Sequence, residues 1–312
     1  MDPGALRSRG GSGFGLSPTE SAYIGPVDTA LAIDIGGTKL AAGIVDEDGV
    51  LLHRAEAPTL ATADAEVLLA ALLGVIECLP PAAPTVCGAG CGGPMTRGGE
   101  EVSPLNIPAW RHFPLRRRLA QATGLPVAVD NDAKALTLGE GWVGAAAGEQ
   151  NFIGMVVSTG VGGGIVLEGR LLDGAHGNAG HIGHIVVEPG GRRCVCGSRG
   201  CLEAEASGTA IRAITGRPPS EAPARVVART GMFVGRAVAS VANLLDLRLA
   251  VVAGSVALGF GQPFFDAAQR EIDALARLEF SVGTRIVPAG LGAAAPLIGA
   301  AAVGFRGAPA GR

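Results

Sequence analysis

Short apolar stretches alternate with turn-forming residues near the beginning of the chain. They predict strands over 30–34, 40–45 and 50–54, joined by a glycine-rich turn after Asp34 and by a second turn over 46–49. Consecutive strands joined by tight turns form an antiparallel meander. The chain is therefore expected to open with three neighbouring strands of one sheet.

Helical and strand patterns then alternate. Apolar spacing of three and four predicts a helix over 65–78, which stops before Pro80. The other elements predicted in this half are strands over 85–90 and 127–130, a basic amphipathic helix over 114–123 and a helix from Ala133 to about Gly141. This alternation favours an α/β fold.

The second half restarts the same scheme with a strand over 153–158, a glycine-rich turn over 159–164 and a strand over 165–168. The later predicted elements are helices over about 231–245, 262–278 and within 289–305, with strands over 249–253 and 285–288. A repeated strand–turn–strand unit predicts two similar α/β halves around a cleft.

Composition narrows the class of protein. The 312 residues carry a formal net charge of -3 with 48% hydrophobic residues, which excludes disorder over the whole length and gives no electrostatic footprint for nucleic acid or anionic membrane. Residues 1–27 are rich in Gly, Ser, Pro and Arg without an apolar signal segment, so a disordered extension is expected there. A cytoplasmic protein with reduced cysteines is the resulting prediction.

The first glycine-rich turn has the chemistry of a phosphate loop. Gly36 and Gly37 let backbone N–H groups approach a phosphate, and Thr38 and Lys39 add a hydroxyl donor and a point charge. Asp34 offers a hard carboxylate for a phosphate-bound Mg²⁺. The alternative is an ordinary β-turn, since Gly-Gly pairs are common.

The second turn strengthens the phosphate interpretation because there is one such loop in each half. Its candidate residues are Thr159, Gly160, Gly162 and Gly163. Two loops could hold a triphosphate from both sides of a cleft, whereas either loop alone could be a flexible hairpin.

Asn131 and Asp132 stand where an apolar strand meets a helix. An Asn or Asp there is commonly an N-cap. A carboxylate at the end of a parallel strand can instead face a cleft as a general base.

His184, Cys194, Cys196 and Cys201 form the most specific cluster, with three cysteines inside eight residues. A Cys₃His set is a closed tetrahedral zinc site, and thiolates with imidazole select zinc over hard cations. The sequence therefore predicts structural zinc, and ordinary packing for Cys78, Cys87 and Cys91.

Together these motifs resemble the ROK family of sugar kinases and repressors from Asp34 to the C-terminus. They are Asp34–Lys39, Asn131–Ala133, Ser158–Gly164, His181–His184 and Cys194–Glu203 with Ser207. The resemblance implies an actin-like, ribonuclease-H-like fold with ATP and sugar in the cleft, and a homodimer or homotetramer. It implies a small N-terminal domain over 28–135 plus 297–312 and a large domain over 136–296. The large domain includes the zinc loop, which is the segment 184–201 with the four predicted ligands.

The resemblance also implies individual roles. Asp132 matches the base that takes the proton from a hexose 6-hydroxyl, and the implied sugar contacts are Gly93, Asn131, His181, His184 and Glu203. The implied phosphate and Mg²⁺ positions are Asp34, Thr38 and Thr159 through Gly163, with Gly254 and Ser255 on the nucleotide side.

His181 departs from the family pattern, in which a Glu is usual. A Glu carboxylate accepts two hydrogen bonds from sugar hydroxyls, whereas a neutral imidazole has one donor and one acceptor. Glucose is the predicted sugar, N-acetylmannosamine is the alternative that His181 suggests, and ATP or polyphosphate stays open as the donor. A sugar-responsive regulator is the third alternative, and residues 1–33 show no pattern of a helix-turn-helix.

Overall fold

The computed structural model describes residues 28–307, so the expected disordered extension over 1–27 lies outside the described residues. The strands of the first sheet are β1 (Thr29–Ile35), β2 (Lys39–Asp46), β3 (Leu51–Pro58), β4 (Val86–Cys91) and β5 (Val127–Asn131). They lie in the order β3-β2-β1-β4-β5. β1, β2 and β3 pair antiparallel, which confirms the predicted meander, and β4 and β5 add in parallel.

The second sheet repeats this arrangement. Its strands are β6 (Phe152–Val157), β7 (Val161–Leu167), β8 (Arg170–Leu171), β9 (Leu249–Ala253) and β10 (Arg285–Pro288). In the order β10-β9-β6-β7-β8, strands β6, β7 and β8 form an antiparallel unit, β9 pairs in parallel with β6, and β10 pairs in parallel with β9. The predicted duplication of an α/β half is confirmed.

Nine helices accompany the sheets in the part of the chain that is described. They are α1 (Ala65–Glu77), α2 (Leu115–Thr123), α3 (Asp132–Val143), α4 (Leu202–Ala206), α5 (Gly208–Thr215), α6 (Ala224–Leu245), α7 (Ser255–Phe260), α8 (Gln262–Leu275) and α9 (Ala295–Gly307). Local signals explain their ends: the Asp64 carboxylate accepts from two N–H groups at the start of α1, and Gly124, with a φ of 70°, ends α2. None of these helices is both long enough and apolar enough to span a bilayer.

Helices α3 and α9 pack on each other and connect the two sheets. α9 also packs on β1 and β4, whereas α3 also packs on β6 and β7. The two helices approach closely because Gly299 has no side chain: a Cβ there would lie 2.4 Å from the carbonyl oxygen of Ala135. The predicted domain boundary after Ala135 falls inside α3, and the division into domains stays a prediction.

The structure corrects several predicted elements. Residues 161–164 belong to strand β7 and not to a turn, because they pair in register with β6. Helix α3 packs directly on this part of β7: a Cβ on Gly164 would lie 3.0 Å from the Cα of Lys134. Ser255 begins helix α7 and is not in a loop, α6 begins at Ala224 and α8 ends at Leu275. Helices α4, α5 and α7 and strand β8 have no counterpart among the predicted elements.

Candidate active site

Two carboxylates meet at the ends of the first sheet's parallel strands. Asp34 lies near the end of β1 and pairs in register with Gly90 of β4, while Asp132 is the first residue of α3. A Cβ on Gly90 would lie 3.9 Å from Asp34 Oδ1 and 3.7 Å from the Cα of Asp132. The missing side chain at Gly90 leaves both carboxylates facing one cleft.

The cleft makes ionisation of both carboxylates unfavourable. Burial and the nearby charge of Asp132 raise the pKa of Asp34 to about 6, against the lowering effect of Lys39 and Arg54. Although Asp132 is exposed to the cleft, desolvation of its carboxyl group raises its pKa, and hydrogen bonds from backbone N–H groups oppose this rise. A carboxylate with a raised pKa is a stronger proton acceptor, as a general base requires.

An Asp34→Asn variant is expected to be more stable than the unsubstituted protein at pH 7.5 without Mg²⁺. The ionised form is disfavoured in the folded state, so this penalty is fully present above pH 6 and disappears as the pH falls towards 3.8. The full penalty is about 3 kcal/mol at about 1.4 kcal/mol per pKa unit. Denaturant unfolding at pH 7.5 and 4.5 measures the difference, with Asp48→Asn in an exposed turn as the control. Equal stability of Asp34→Asn and the unsubstituted protein at pH 7.5 would contradict this electrostatic account.

Asn131 and Gly93 lie beside Asp132. The Asn131 side-chain oxygen accepts the N–H of Ala133 at 3.0 Å, so it caps α3 as the alternative interpretation expected. Its Nδ2 lies 3.6 Å from the position of a Cβ on Gly93, in the loop after β4. Three predicted sugar-contacting residues are thus adjacent, with the amide nitrogen of Asn131 towards that loop.

His181 comes from the other half of the chain and is close enough to Asp132 to lower the pKa of that carboxyl when the imidazole is charged. Its Nδ1 lies 2.8 Å from the carbonyl oxygen of Asn178. A carbonyl oxygen only accepts, so we assign Nδ1 as the donor, which leaves Nε2 of the neutral ring as an acceptor. His181 therefore has a free acceptor, as a Glu at this position would have, and its contact with a sugar stays a prediction.

Glu203 connects the zinc loop to the second glycine-rich turn. Its Oε2 accepts the backbone N–H of Val161 at 3.0 Å. A Cβ on Gly160 would lie 2.9 Å from the same oxygen, so a residue with a side chain at position 160 would displace Glu203. One carboxylate oxygen of Glu203 is engaged in this way, and no sequence pattern indicates its hydrogen bond to Val161.

The first glycine-rich turn is held by Thr59, which sequence reasoning missed. Thr59 Oγ1 donates to the carbonyl oxygen of Gly36 at 2.7 Å, and Thr59 N–H donates to that of Thr38 at 3.1 Å. Gly37 is exposed and tightly placed, since a Cβ there would lie 2.6 Å from Asn106 Cβ. The Nζ of Lys39 pairs with Glu56 at 3.3 Å, so this predicted phosphate contact is partly neutralised.

The second turn is held by the N-termini of two helices. The carbonyl oxygen of Thr159 accepts from both the N–H and Oγ1 of Thr209 in α5, at 3.2 and 3.0 Å. Ser158 Oγ lies 2.9 Å from Ser255 Oγ at the start of α7. The turn and the predicted nucleotide-side residue Ser255 are therefore in contact.

Gly162, Gly163 and Gly254 pack against backbone or helix. A Cβ on Gly162 would lie 3.0 Å from Ala133 Cβ, and one on Gly163 would lie 2.9 Å from the carbonyl oxygen of Gly154. Gly254 has a φ of 101°, and a Cβ there would lie 2.3 Å from the carbonyl oxygen of Val157. Close packing explains these three glycines, and their contact with phosphate stays a prediction.

The four predicted zinc ligands come together, with all ligand atoms within 4.8 Å of one another. His184 Nδ1 lies 3.7 Å from Cys194 Sγ, and Cys196 Sγ lies 3.6 Å from Cys201 Sγ. Two thiolates at 2.3 Å from one tetrahedral zinc are about 3.8 Å apart. The donor set and its spacing fit a single Zn²⁺ with no open position.

Comparison with known proteins identifies the family. The ROK family model matches residues 30–305, which is most of the chain. The chain belongs to the ROK family. It is 39% identical to an N-acetylmannosamine kinase from Citrobacter koseri over 250 residues, covering 75% of this chain and 85% of that protein.

Two glucokinases are also similar. A glucokinase from Thermotoga maritima is 40% identical over 185 residues, or 58% of each chain. The crystal structure of a ROK family glucokinase from Streptomyces griseus, in complex with glucose and AMPPNP, superposes with a TM-score of 0.77 at 30% identity. It covers 89% of this chain and 99% of that one. The predicted family, actin-like fold and sugar kinase class are confirmed, and the relatives differ in the sugar they are named for.

Proposed function

We propose that this ROK family protein transfers the γ-phosphoryl group of ATP to the 6-hydroxyl of a hexose, with glucose as the first candidate. The observation that carries the proposal is the Asp132 carboxylate at the N-terminus of α3. It is open to the cleft and close to both Asp34 and His181. Phosphoryl transfer needs positioning and charge stabilisation more than covalent chemistry, and these residues suit that need.

Asp132 is the proposed general base. A carboxylate whose pKa is raised by burial takes the proton from the hydroxyl as the oxygen attacks the γ-phosphorus. Asn131 Nδ2 is a donor for a neighbouring sugar hydroxyl, because its Oδ1 is already used in capping α3.

Asp34 is the proposed residue for Mg²⁺. Its charge is poorly compensated beside Asp132, and a hard divalent cation would relieve that repulsion. When bound, Mg²⁺ supplies positive charge to the transferring phosphoryl group. The backbone N–H groups around Gly37 and Thr159 are the proposed phosphate donors.

His184, Cys194, Cys196 and Cys201 are the proposed ligands of a structural zinc ion. Because the Nδ1 of His184 faces Cys194, its Nε2 stays available for the sugar. The zinc would therefore fix the orientation of a sugar-contacting ring.

The acceptor at His181 Nε2 supports either of two sugars. It can accept from a hydroxyl of glucose or from the amide N–H of N-acetylmannosamine. The relative from Citrobacter koseri gives the second sugar its own support. A neutral His181 has no N–H left to donate to an N-acetyl carbonyl, because its Nδ1 faces the carbonyl oxygen of Asn178.

Turnover measured with Mg-ATP and with polyphosphate on glucose, mannose, N-acetylglucosamine and N-acetylmannosamine tests the proposal. We expect kcat/KM with Mg-ATP to be highest for glucose. A higher value for N-acetylmannosamine would select the second candidate, and absence of turnover on all four sugars would overturn hexose phosphorylation.

A His181→Glu variant belongs in the same panel. If His181 serves as an acceptor for hydroxyls, this variant retains glucose turnover, because a carboxylate accepts at the same place. If the imidazole selects N-acetylmannosamine, turnover of that sugar falls and turnover of glucose rises.

A further inference from the structure

Lys134 is one of only two lysines in the chain, and it is buried in α3 with 2% of its surface exposed. Its Nζ lies 3.0 Å from Asp130 Oδ1, 2.9 Å from Asp173 Oδ1 and 3.2 Å from the carbonyl oxygen of Gly177. An ammonium group has three N–H donors, so these acceptors use all of them. Lys134 has no donor left for a substrate.

The acceptors of Lys134 come from both halves of the chain. Asp130 lies in β5, next to the site residue Asn131, whereas Asp173 and Gly177 lie in the segment between β8 and His181. Lys134 therefore joins the first sheet to the segment that carries His181.

The segment 173–181 is short and has hydrogen bonds between its own residues. The N–H of Ala179 donates to the carbonyl oxygen of Asp173 at 3.0 Å, and His181 Nδ1 contacts the carbonyl oxygen of Asn178 at 2.8 Å. Gly177, which accepts from Lys134, directly precedes Asn178. A displacement of Gly177 would therefore move Asn178 and, through its hydrogen bond, the His181 ring.

Lys134 and Asp132 are two residues apart in the first turn of α3. One helical turn therefore carries both the proposed base and the anchor of the opposing segment. We propose that Lys134 is a positioning residue for the sugar, which holds His181 in place across from Asp132. This role rests on the proposed function, and it concerns the binding of the sugar more than that of the nucleotide.

The test uses Lys134→Met together with Asp130→Asn. Lys134→Met alone leaves two carboxylates facing each other, and a buried charge without its partner destabilises a fold. Asp130→Asn removes one of these charges, and its amide oxygen can still accept the N–H of Asn131 as the carboxylate does at 2.8 Å. Asp130→Asn alone is the reference.

We expect the double variant to raise the KM for the sugar about tenfold or more, with the KM for Mg-ATP changed less than about twofold. Arg170→Met is the matched control, because Arg170 pairs with Glu168 on the surface, where both side chains are 78% exposed. Glu140 lies in the same helix, and its buried carboxylate accepts the backbone N–H groups of residues 145, 290 and 291. We expect Glu140→Gln to lower stability without changing the KM for the sugar.

A double-mutant cycle with His181→Ala identifies the route of the effect. If Lys134 acts through His181, its removal has little further effect on the KM for the sugar once the imidazole is absent. Hydrogen exchange of peptides covering 173–181 is expected to rise in the double variant.

Turnover by the unsubstituted protein tests the proposed function separately. If that turnover is present and the folded double variant keeps the reference KM for the sugar, the role of Lys134 is overturned and the proposed function stands. A full effect that persists in the His181→Ala background overturns the route through His181. Absence of turnover by the unsubstituted protein overturns the proposed function and this role with it.

Discussion

The Asp132→Asn variant is expected to lose turnover by a factor of about 10² to 10⁴, the usual contribution of a positioned general base. An amide has nearly the shape of the carboxylate but does not take up a proton near neutral pH. Its oxygen can still accept the N–H of Ala133, as Asp132 Oδ1 does at 2.8 Å, so the start of α3 is retained. We therefore expect kcat to fall while zinc content and fold are unchanged.

Binding measurements separate this chemical role from a structural one. Calorimetric titration of sugar and of Mg-ATP should give affinities close to those of the unsubstituted protein, because an interaction used only in the transition state contributes to kcat alone. Asp48→Asn, in the exposed turn between β2 and β3, is the matched control and should keep full turnover. Turnover above one tenth of the unsubstituted value in a folded Asp132→Asn variant would remove Asp132 as the base.

The antiparallel strands of both sheets could be predicted because strands joined by tight turns are neighbours in both sequence and structure. The β1–β2–β3 meander follows from apolar runs separated by turn residues, and the same signal recurs at β6 and β7. Element boundaries were predicted wrongly where a glycine permits close packing between two elements and does not mark a turn. Gly231 marks the predicted start of a helix, whereas in the structure it lies inside α6 at the contact with α8. A Cβ there would lie 2.4 Å from the carbonyl oxygen of Phe264.

Helices α4 and α5 were missed for a related reason. Ser207 ends α4, and its side chain accepts the N–H of Ala210 to begin α5. A helix of five residues has too few turns for a periodic pattern, and its stability comes from tertiary contacts. One such contact is the buried Glu205, which accepts the N–H of Arg192 in the zinc loop and pairs with Arg229 of α6.

The candidate site was predictable to different degrees. The zinc set was visible because its cysteines are adjacent in sequence, and the structure brings the four residues together. The proximity of Asp34 to Asp132 was implied by family resemblance, since no local pattern relates residues so far apart. The contacts of Lys134 depend on which segments meet across the cleft, where α3 packs on the second sheet. The second contact of Glu203 depends on the packing of α4 on β7 within the second half of the chain.

Loss of the proposed zinc ion is expected to have the second large effect, at least a 100-fold loss of kcat/KM for the sugar. Cys201 is 1% exposed and immediately precedes α4, which carries Glu203. Binding of a structural zinc ion contributes about 10–16 kcal/mol of folding free energy in small zinc domains. No set of loop hydrogen bonds replaces a contribution of that size, so we expect the loop to lose its arrangement in Cys201→Ser.

We expect loss of zinc to disturb both the proposed sugar site and the proposed phosphate-binding turn, each through a different residue. His184 would lose its fixed orientation beside the sugar, and Glu203 would release the N–H of Val161 at the second glycine-rich turn. Cys78→Ser is the matched control, because Cys78 is an exposed cysteine at the end of α1, outside the cluster. Zinc content by elemental analysis, turnover, and recovery of turnover when zinc is returned to chelator-treated protein are the measurements. Full turnover at a zinc content well below one per chain would show that these four residues shape the loop without the metal, and would leave His184 with a sugar-contacting role alone.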